Sequence, residues 1–405
     1  REPHDIYLPL SVARINASGG LEPPGIVEIL TIDTEKGELN GDCPAEVVPH
    51  IRRALQESPD SPGLLTWLYP FRELHEQVEG SGFASGNAFF HDWFVRNAIN
   101  HGLPLNTVLG TDQFFAMNET VLAGLGDTVL LAATSWLTGD AARRLADYVR
   151  GGGRLMLYGA ATDPALLELL NLKLEEPLEG DFELTGSYAP DEVDGRTAAV
   201  RRLRHAPLTA GGGFAERIAD TSDPYTRLCA AAVQDDIERA IALFRRLPGW
   251  NGGAVGWVRG SLPFQAAGIT HLPVRQGKEW DDSALLVRYM LQDFGYTLMQ
   301  EKRDAESQTA LCFVSRHRNG FLFIGCKQDA SVRLRLRFPD GVPIMIGQTT
   351  IVGGAEDTAL YALDRTFRDE CRVFVDQRER SRIVCREIPP GPTPRRQPER
   401  TITVS

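Results

Sequence analysis

The chain has 405 residues and a formal net charge of −11 at pH 7. Its length exceeds what one hydrophobic core normally holds, so we expect about two or three domains. The acidic balance argues against nucleic acid and anionic membranes as partners, because both bind concentrated basic surfaces. No apolar run approaches the roughly 20 residues of a membrane span. No signal peptide is recognised either, so we expect a cytoplasmic protein. Because the first residue is Arg1 rather than Met, we also expect a processed chain or part of a longer one.

The first eighty residues predict alternating strands and helices. Apolar runs indicate strands at 5–10, 26–32 and 63–69. The stretch 45–55 places its apolar residues on one helical stripe, with Pro49 expected in the first turn. Three parallel strands neither close a barrel nor cover a sheet by themselves. We therefore expect this segment to be the end of a larger unit, or an appendage docked on the next domain.

The most informative pattern lies at 127–159. Val129–Ala133 is an apolar run without alternation, as in a strand covered on both faces. An amphipathic helix follows, and it is expected to stop at Gly151–Gly153, where glycine tolerates left-handed backbone angles. A second apolar strand comes at 154–158. Strand, helix and strand within about thirty residues predict a right-handed parallel crossover.

The rest of 83–302 is expected to surround this crossover as a parallel sheet with helices on both faces. The pattern predicts helices at 89–101 and 282–294, extended chain at 104–109, a strand-rich excursion at 182–219 and a strand at 252–258. The stretch 237–247 is predicted to be a helix, or failing that a loop beside a strand.

Residues 303–388 change to a pattern typical of an all-β domain. Two apolar runs around Asn319-Gly320 give the strongest hairpin signal in the chain. Short strands separated by turns at this spacing indicate a β-sandwich. Cys312 and Cys326 are spaced about that turn, and Cys371 and Cys385 about a second one, so each pair is either a cross-strand disulfide or two small buried hydrophobes. Residues 389–405, rich in Pro and Arg, are expected to form a tail.

At 127–159 and 282–295 the chain resembles the middle domain of β-galactosidase-like glycoside hydrolases. The residues that match are His91-Asp92-Trp93, Val129–Ala133, Ala141–Gly153 and Leu285–Leu291. In that family the domain has a flavodoxin-like (class I glutamine-amidotransferase-like) fold, follows a (β/α)8 catalytic barrel and precedes a small β domain. It also often mediates trimer formation.

The resemblance implies a fold of class α/β with three parts and a tail. These are a partial (β/α)8-barrel-like segment at 1–82, a doubly wound parallel α/β domain at 83–302, an antiparallel β-sandwich at 303–388 and the tail at 389–405. It also implies a homo-oligomer, including the possibility of a trimer, formed through the α/β domain.

The same resemblance implies where a sugar would be cleaved. In retaining enzymes of this clan the nucleophile is a glutamate in a Thr-Glu-x-Gly-like run after the seventh strand, and Thr34-Glu35-Lys36-Gly37 places Glu35 there. Asp33 is the second choice for an acidic role. A carboxylate is needed because it stabilises, and then traps, an oxocarbenium-like transition state. Trp67 corresponds to the aromatic platform for the sugar, with Tyr69 and Glu73 as further substrate-binding residues. No metal or organic cofactor is implied.

Each of these residues also has a possible non-functional role: Glu35 could lie in a solvated turn, and Trp67 could fill a core position. A retaining mechanism also needs a second carboxyl group about 5–5.5 Å from the first. In this clan it comes from the fourth barrel strand, which we do not find in the sequence. The hypothesis is therefore a glycoside hydrolase, or part of one, acting on β-linked galactoside-type sugars. A non-catalytic assembly or carbohydrate-binding scaffold and a sugar phosphorylase are the alternatives.

A glutamine amidotransferase or related cysteine hydrolase is the rival within the same fold. Such enzymes need a nucleophile on a strained, Gly-flanked turn after a strand. The turn after 155–158 reads Gly159-Ala160-Ala161-Thr162-Asp163, where only Thr162 carries a hydroxyl. The sequence therefore disfavours this class of hydrolase.

Overall fold

The computed structural model describes residues 12–26, 42–56, 58–80, 85–186, 201–205, 211–261 and 281–302, and nine short segments after 302: 311–317, 320–326, 332–337, 344–346, 350–353, 359–362, 371–375, 382–385 and 400–403. The predicted α/β class is confirmed. Within the described ranges, no helix combines the length and the apolar character that crossing a membrane requires.

The elements up to residue 170 alternate strands with helices. They are β1 (Ala13–Ile15), β2 (Leu21–Glu22), α1 (Asp42–Gln56), β3 (Leu65–Tyr69), α2 (Phe71–Gly80), α3 (Ser85–Asn100), β4 (Leu105–Gly110), α4 (Thr111–Ala116), α5 (Glu119–Ala123), β5 (Val129–Ala133), α6 (Asp140–Arg150), β6 (Arg154–Tyr158) and α7 (Pro164–Leu170).

From residue 172 onward strands dominate. They are β7 (Leu172–Leu178), β8 (Gly180–Gly186), β9 (Arg202–His205), β10 (Phe214–Ile218), β11 (Thr226–Gln234), β12 (Ile237–Arg245), β13 (Ala254–Val258), β14 (Thr297–Lys302), β15 (Leu311–His317), β16 (Gly320–Cys326), β17 (Val332–Arg337), β18 (Ile344–Ile346), β19 (Thr350–Gly353), β20 (Ala359–Ala362), β21 (Cys371–Val375), β22 (Arg382–Cys385) and β23 (Arg400–Thr403). Helix α8 (Leu285–Met290) lies between β13 and β14.

One eleven-stranded sheet organises the protein, in the order β2-β1-β4-β3-β5-β6-β13-β12-β11-β8-β9. The six strands from β1 to β13 in that order pair in parallel. The remaining strands extend the sheet by antiparallel pairs, with β2 at one end and β12, β11, β8 and β9 at the other. All five residues of β5 and of β13 are buried, as their unbroken apolar sequences require.

The sheet corrects the expected separation of a barrel-like segment from the α/β domain. Strands β1 and β3 come from residues before 82, yet both pair in parallel with β4, which lies between them. The two strands therefore belong to the same open sheet as β5 and β6. A single apolar run shows that a strand is buried but does not show which strands flank it, so the sequence did not reveal this arrangement.

Two local predictions also need correction. The stretch 237–247 is not helical, since β12 pairs antiparallel with both β11 and β13. Its apolar residues recur at a spacing that suits a helix, but its position between two strands decides the outcome. Pro49 lies inside α1 rather than in its first turn, because the helix already begins at Asp42.

The antiparallel strands predicted for 303–388 are present, and β14, which precedes residue 303, joins them. β14, β17, β20 and β19 make one four-stranded antiparallel sheet, and β15, β16, β21 and β18 make another. Their packing as a sandwich and the flavodoxin-like assignment of the central domain stay predictions, and so do the domain limits, apart from the barrel-like segment corrected above. Part of the expected tail is a strand, because β23 pairs with β22.

The predicted cysteine pairs do not face each other in the strand registers. In the β15–β16 hairpin, Cys326 pairs with Leu311, and Cys312 pairs with Gly325. Cys371 lies in β21 and Cys385 in β22, which belong to different sheets.

Candidate functional site

The strand order predicts a crevice at one edge of the sheet. From β3 the chain crosses to β4 on one side, and from β4 it returns to β5 on the other side of β3. Such a reversal opens a gap outside the carboxyl ends of the strands, where open α/β sheets bind their ligands. The residues at the ends of β3, β5 and β6 therefore define the candidate site.

Trp67 is the central side chain of this edge. It is half-buried, and its indole Nε1 donates a hydrogen bond to the phenol oxygen of Tyr158 at 3.3 Å. The ring of Tyr69 meets the indole edge-on, with 4.8 Å between centroids. Trp67 and Tyr69 are two residues apart in β3 and so project from the same face of the strand. Hydrogen bond and ring contact together fix the orientation of the indole.

Tyr158, the last residue of β6, supports Trp67 from the interior of the protein. Its side chain is fully buried, and burial raises the pKa of its phenol far above the ordinary value, so the hydroxyl stays neutral. Phe94 of α3 stacks on its ring, with 5.2 Å between centroids and 14° between planes. Gly260 has a φ of +73°, and a Cβ there would lie 2.9 Å from Phe90 and 3.0 Å from Phe94. Only glycine therefore lets α3 lie this close to the end of β13.

A polar pair lies on the same edge, after β5. His91 of α3 is 1% exposed, and its Nε2 is hydrogen-bonded to the hydroxyl of half-buried Ser135. Burial lowers the pKa of His91 to about 3, and its Nδ1 has no hydrogen-bond partner among the described residues. A general base works best with a pKa near the operating pH and with an acidic group orienting its second nitrogen. The pair therefore lacks the properties of a nucleophile–base pair.

Cys229, which lies in the eleven-stranded sheet, does not have the properties that the alternative of a cysteine hydrolase requires. Cys229 of β11 is buried, and burial raises the pKa of its thiol to about 11. A reactive cysteine needs the opposite shift, because the thiolate is the nucleophile. Thr162, which the sequence left as an alternative, is exposed in the turn after β6.

Charged and hydroxyl groups border the site on the side of β4. The Thr111 hydroxyl, directly after β4, donates to the Glu73 carboxylate of α2 at 2.7 Å. Arg72 lies 2.9 Å from the Asp112 carboxylate and 3.5 Å from that of Glu73. Glu73 is 17% exposed, whereas Arg72 and Asp112 are both more than half exposed. These side chains can hydrogen-bond a ligand that reaches past Tyr69.

A buried ion pair supports the opposite end of the edge. Arg259, after β13, is fully buried and lies 3.0 Å from the Glu216 carboxylate. Glu216 also accepts backbone hydrogen bonds from Ala161 and Ala215, both at 3.1 Å. One Arg259 amino group donates to the carbonyls of residues 211–213, at 2.9–3.3 Å. Because all these groups are satisfied internally, we assign the pair to holding the loops in place.

The structure brings some of the predicted site residues together. Trp67 and Tyr69 are in contact. Glu73 lies in the polar group beside β4, where it accepts a hydrogen bond from Thr111. Glu35 and Asp33, the predicted catalytic carboxylates, lie outside the described residues. No group of three or more His, Cys, Asp or Glu side chains within the described ranges is arranged to hold a metal ion. Sequence reasoning missed Tyr158 and Ser135, because their role depends on the strand order.

No protein-family model and no curated protein matches the sequence. Among solved structures, the chain is similar to a cold-adapted β-galactosidase from Rahnella sp. R3, with a TM-score of 0.39, 9% identity and coverage of 79% of this chain and 42% of that one. It is also similar to a β-galactosidase from Bacillus circulans sp. alkalophilus, with a TM-score of 0.38, 9% identity and coverage of 77% of this chain and 44% of that one. The β-galactosidase of the haloarchaeon Halorubrum lacusprofundi matches with a TM-score of 0.34, 13% identity and coverage of 78% of this chain and 43% of that one.

The chain is thus similar to part of each of these three β-galactosidases. It spans less than half the length of each of these three proteins. At TM-scores below 0.5 and identities of 9–13%, the resemblance does not transfer activity or site residues. What the geometry defines is an α/β protein with an aromatic crevice at the switch point of its sheet.

Proposed function

We propose that the chain is part of a glycoside hydrolase and binds a β-linked, galactoside-type sugar at the carboxyl edge of β3. The observation that carries the proposal is the half-buried indole of Trp67, hydrogen-bonded to Tyr158 and in edge contact with Tyr69. A pyranose has a flat apolar face ringed by hydroxyls. Stacking that face on an indole removes apolar surface from water, while hydroxyls reach polar neighbours.

The catalytic part of the proposal rests on the sequence resemblance. Glu35 is proposed as the nucleophile and Asp33 as the second choice for an acidic role. The proposal assigns no acid/base residue. We also propose that the chain forms a homo-oligomer through the α/β domain. The resemblance implies a trimer. Light scattering on the purified chain measures the oligomeric state and so tests this proposal.

An aryl β-galactoside assay tests the proposed activity. With a dinitrophenyl β-galactoside, whose leaving group departs without an acid catalyst, we expect cleavage by the chain, and a fall in kcat of about a thousandfold or more in Glu35→Gln, because a covalent nucleophile is lost. Glu38→Gln, three residues away, serves as the matched control and should keep full activity. Equal activity of Glu35→Gln and the parent chain would remove Glu35 from the mechanism.

Binding of galactose, measured by calorimetry, separates a catalytic protein from a scaffold. If the chain binds galactose, loses that binding in Trp67→Ala and hydrolyses no aryl galactoside, the carbohydrate-binding alternative replaces the hydrolase. If it neither binds nor hydrolyses the sugar, the proposed function is wrong. Cleavage that requires inorganic phosphate and transfers the sugar to it, giving a sugar phosphate, would instead identify a sugar phosphorylase.

A further inference from the structure

Four aromatic side chains form a continuous strip that leads from the crevice to the surface. The strip consists of Trp67, Tyr69, Phe71 and His75, and neighbouring rings have centroids 4.8, 6.3 and 4.5 Å apart. Trp67 and Tyr69 are half-buried, while Phe71 is 61% exposed and His75 is exposed. The strip thus begins at the sugar platform and ends in solvent.

The exposed end of the strip calls for an explanation. Single apolar side chains on a surface are ordinary, but Phe71 continues a row of rings rather than standing alone. The row starts from a side chain of fixed orientation, because the indole Nε1 of Trp67 donates a hydrogen bond to the Tyr158 hydroxyl at 3.3 Å. A ligand stacked on Trp67 that extends past Tyr69 therefore meets further aromatic side chains, tilted at 41° and 40° to their neighbours.

The charges beside the strip select the class of ligand. The guanidinium of Arg72 lies within 4 Å of three carboxylates, those of Glu73, Glu76 and Asp112. Its positive charge is therefore already matched, and the group as a whole carries excess negative charge. An anionic ligand such as a phosphate or a nucleic acid would be repelled. Carboxylates and a guanidinium are, however, good partners for the paired hydroxyls of a neutral sugar.

We propose that the aromatic strip binds successive units of a neutral, β-linked oligosaccharide. The unit nearest the bond to be cut stacks on Trp67, and outer units lie over Phe71 and His75. Ring spacings of 4.5–6.3 Å are of the size of one sugar unit, so the strip is longer than a monosaccharide. This inference rests on the proposed function and adds the substrate class, a chain of several sugars rather than a simple galactoside.

The test is a series of calorimetric titrations of the full chain with galactose and with β-1,4-linked galactobiose, galactotriose and galactotetraose. We expect the affinity to rise with chain length. Phe71→Ala and His75→Ala should each weaken binding of the tri- and tetrasaccharide by about two- to tenfold, the range for one aromatic contact. Both variants should bind galactose as the parent chain does. Tyr225→Ala removes a ring outside the strip that is 46% exposed, against 61% for Phe71, and should change nothing.

The outcomes separate this inference from the proposed function. If galactose binds through Trp67 but affinity does not grow with chain length, or Phe71→Ala leaves the tetrasaccharide unaffected, the strip is not a binding surface and the proposed function stands. If no sugar of any length binds, both are overturned. Tighter binding of a sulfated galactan fragment than of the neutral tetrasaccharide would overturn the assignment to neutral sugars. Circular dichroism confirms that each variant is folded.

Discussion

Arg259 and Glu216 form an ion pair at 3.0 Å whose side chains are 0% and 2% exposed. The two residues belong to different sheets. Arg259 follows β13, the last parallel strand of the eleven-stranded sheet, whereas Glu216 lies in β10, which pairs with β7 in a separate two-stranded sheet. Together they connect the parallel strands to the loop at 211–213 and to the backbone of Ala161. Loop positions at the carboxyl edge therefore depend on one buried pair of charges.

Breaking this pair should destabilise the fold strongly. Glu216→Gln leaves the Arg259 charge buried without its counter-charge, so we expect the free energy of unfolding to fall by about 3–5 kcal/mol. Urea titration followed by circular dichroism measures the change. Asp181→Asn is the matched control, because its ion pair with Arg204 is about half exposed and should contribute roughly 0–1 kcal/mol. Equal losses in the two variants would contradict a structural role for the buried pair.

The hydrogen bond between Trp67 and Tyr158 should matter for sugar binding as well as for stability. Tyr158→Phe leaves the indole N–H without this acceptor, so we expect galactose affinity to fall by about two- to tenfold, the equivalent of one hydrogen bond.

Tyr296→Phe provides the control for this prediction. The Tyr296 hydroxyl donates to the Asp127 carbonyl at 2.9 Å and is likewise buried, but it belongs to another part of the fold. Both variants should lose about 1 kcal/mol of stability. Only Tyr158→Phe should lower affinity, and a loss of affinity in Tyr296→Phe would show a general effect of destabilisation.

Much of the central sheet could be predicted from the sequence, because its strands are short apolar runs with clear stops. Val129–Ala133, the helix after it and the strand at 154–158 all lie where the pattern placed them. The stretch 237–247 was misjudged, since local spacing of Ile237, Ala240 and Ile241 suits a helix equally well. Only pairing with β11 and β13, which is a long-range property, makes it a strand.

The candidate site was predictable only in part. Trp67 and Tyr69 stood out as aromatic residues at the end of a predicted strand. Their hydrogen-bonding and packing partners, Tyr158 and the residues of α3, come from distant parts of the chain and meet Trp67 only through the strand order β4-β3-β5-β6. Sequence spacing carries no information about that order.

Acidification should destabilise the protein through two buried histidines. Burial lowers the pKa of His91 and of His205 to about 3, with the Arg259 charge contributing at His205. In the unfolded chain histidine titrates near pH 6.5, so between about pH 6.5 and 3 the unfolded state binds more protons. Stability should therefore fall as pH falls through this window, by up to about 1.4 kcal/mol per pH unit for each histidine.

Urea titrations at pH 6.5, 5.5 and 4.5 measure this slope. His91→Gln, which carries no titrating group, should have a smaller slope than the parent chain. Identical slopes in the parent chain and His91→Gln would show that His91 is not buried in its neutral form.

Close packing of α6 on the sheet predicts different effects at two nearby glycines. A Cβ on Gly253 would lie 1.9 Å from the carbonyl oxygen of Val149, whereas one on Gly249 would meet no atom within 4 Å. Gly253→Ala should therefore destabilise the fold by about 1–3 kcal/mol or more, since the helix must shift. Gly249→Ala should be close to neutral. Thermal unfolding of both variants tests the difference, and a neutral Gly253→Ala would contradict the packing.

The parallel pairing of β6 with β13 has a consequence for how the protein is made. Residues 159–253 must leave the ribosome before β13 can close the flank of β6. Contacts between segments so distant in sequence form slowly, and until they form the hydrophobic edge of β6 stays available to other nascent chains. Truncations that end before Ala254 should therefore accumulate as aggregates during expression, while those that retain β13 should not.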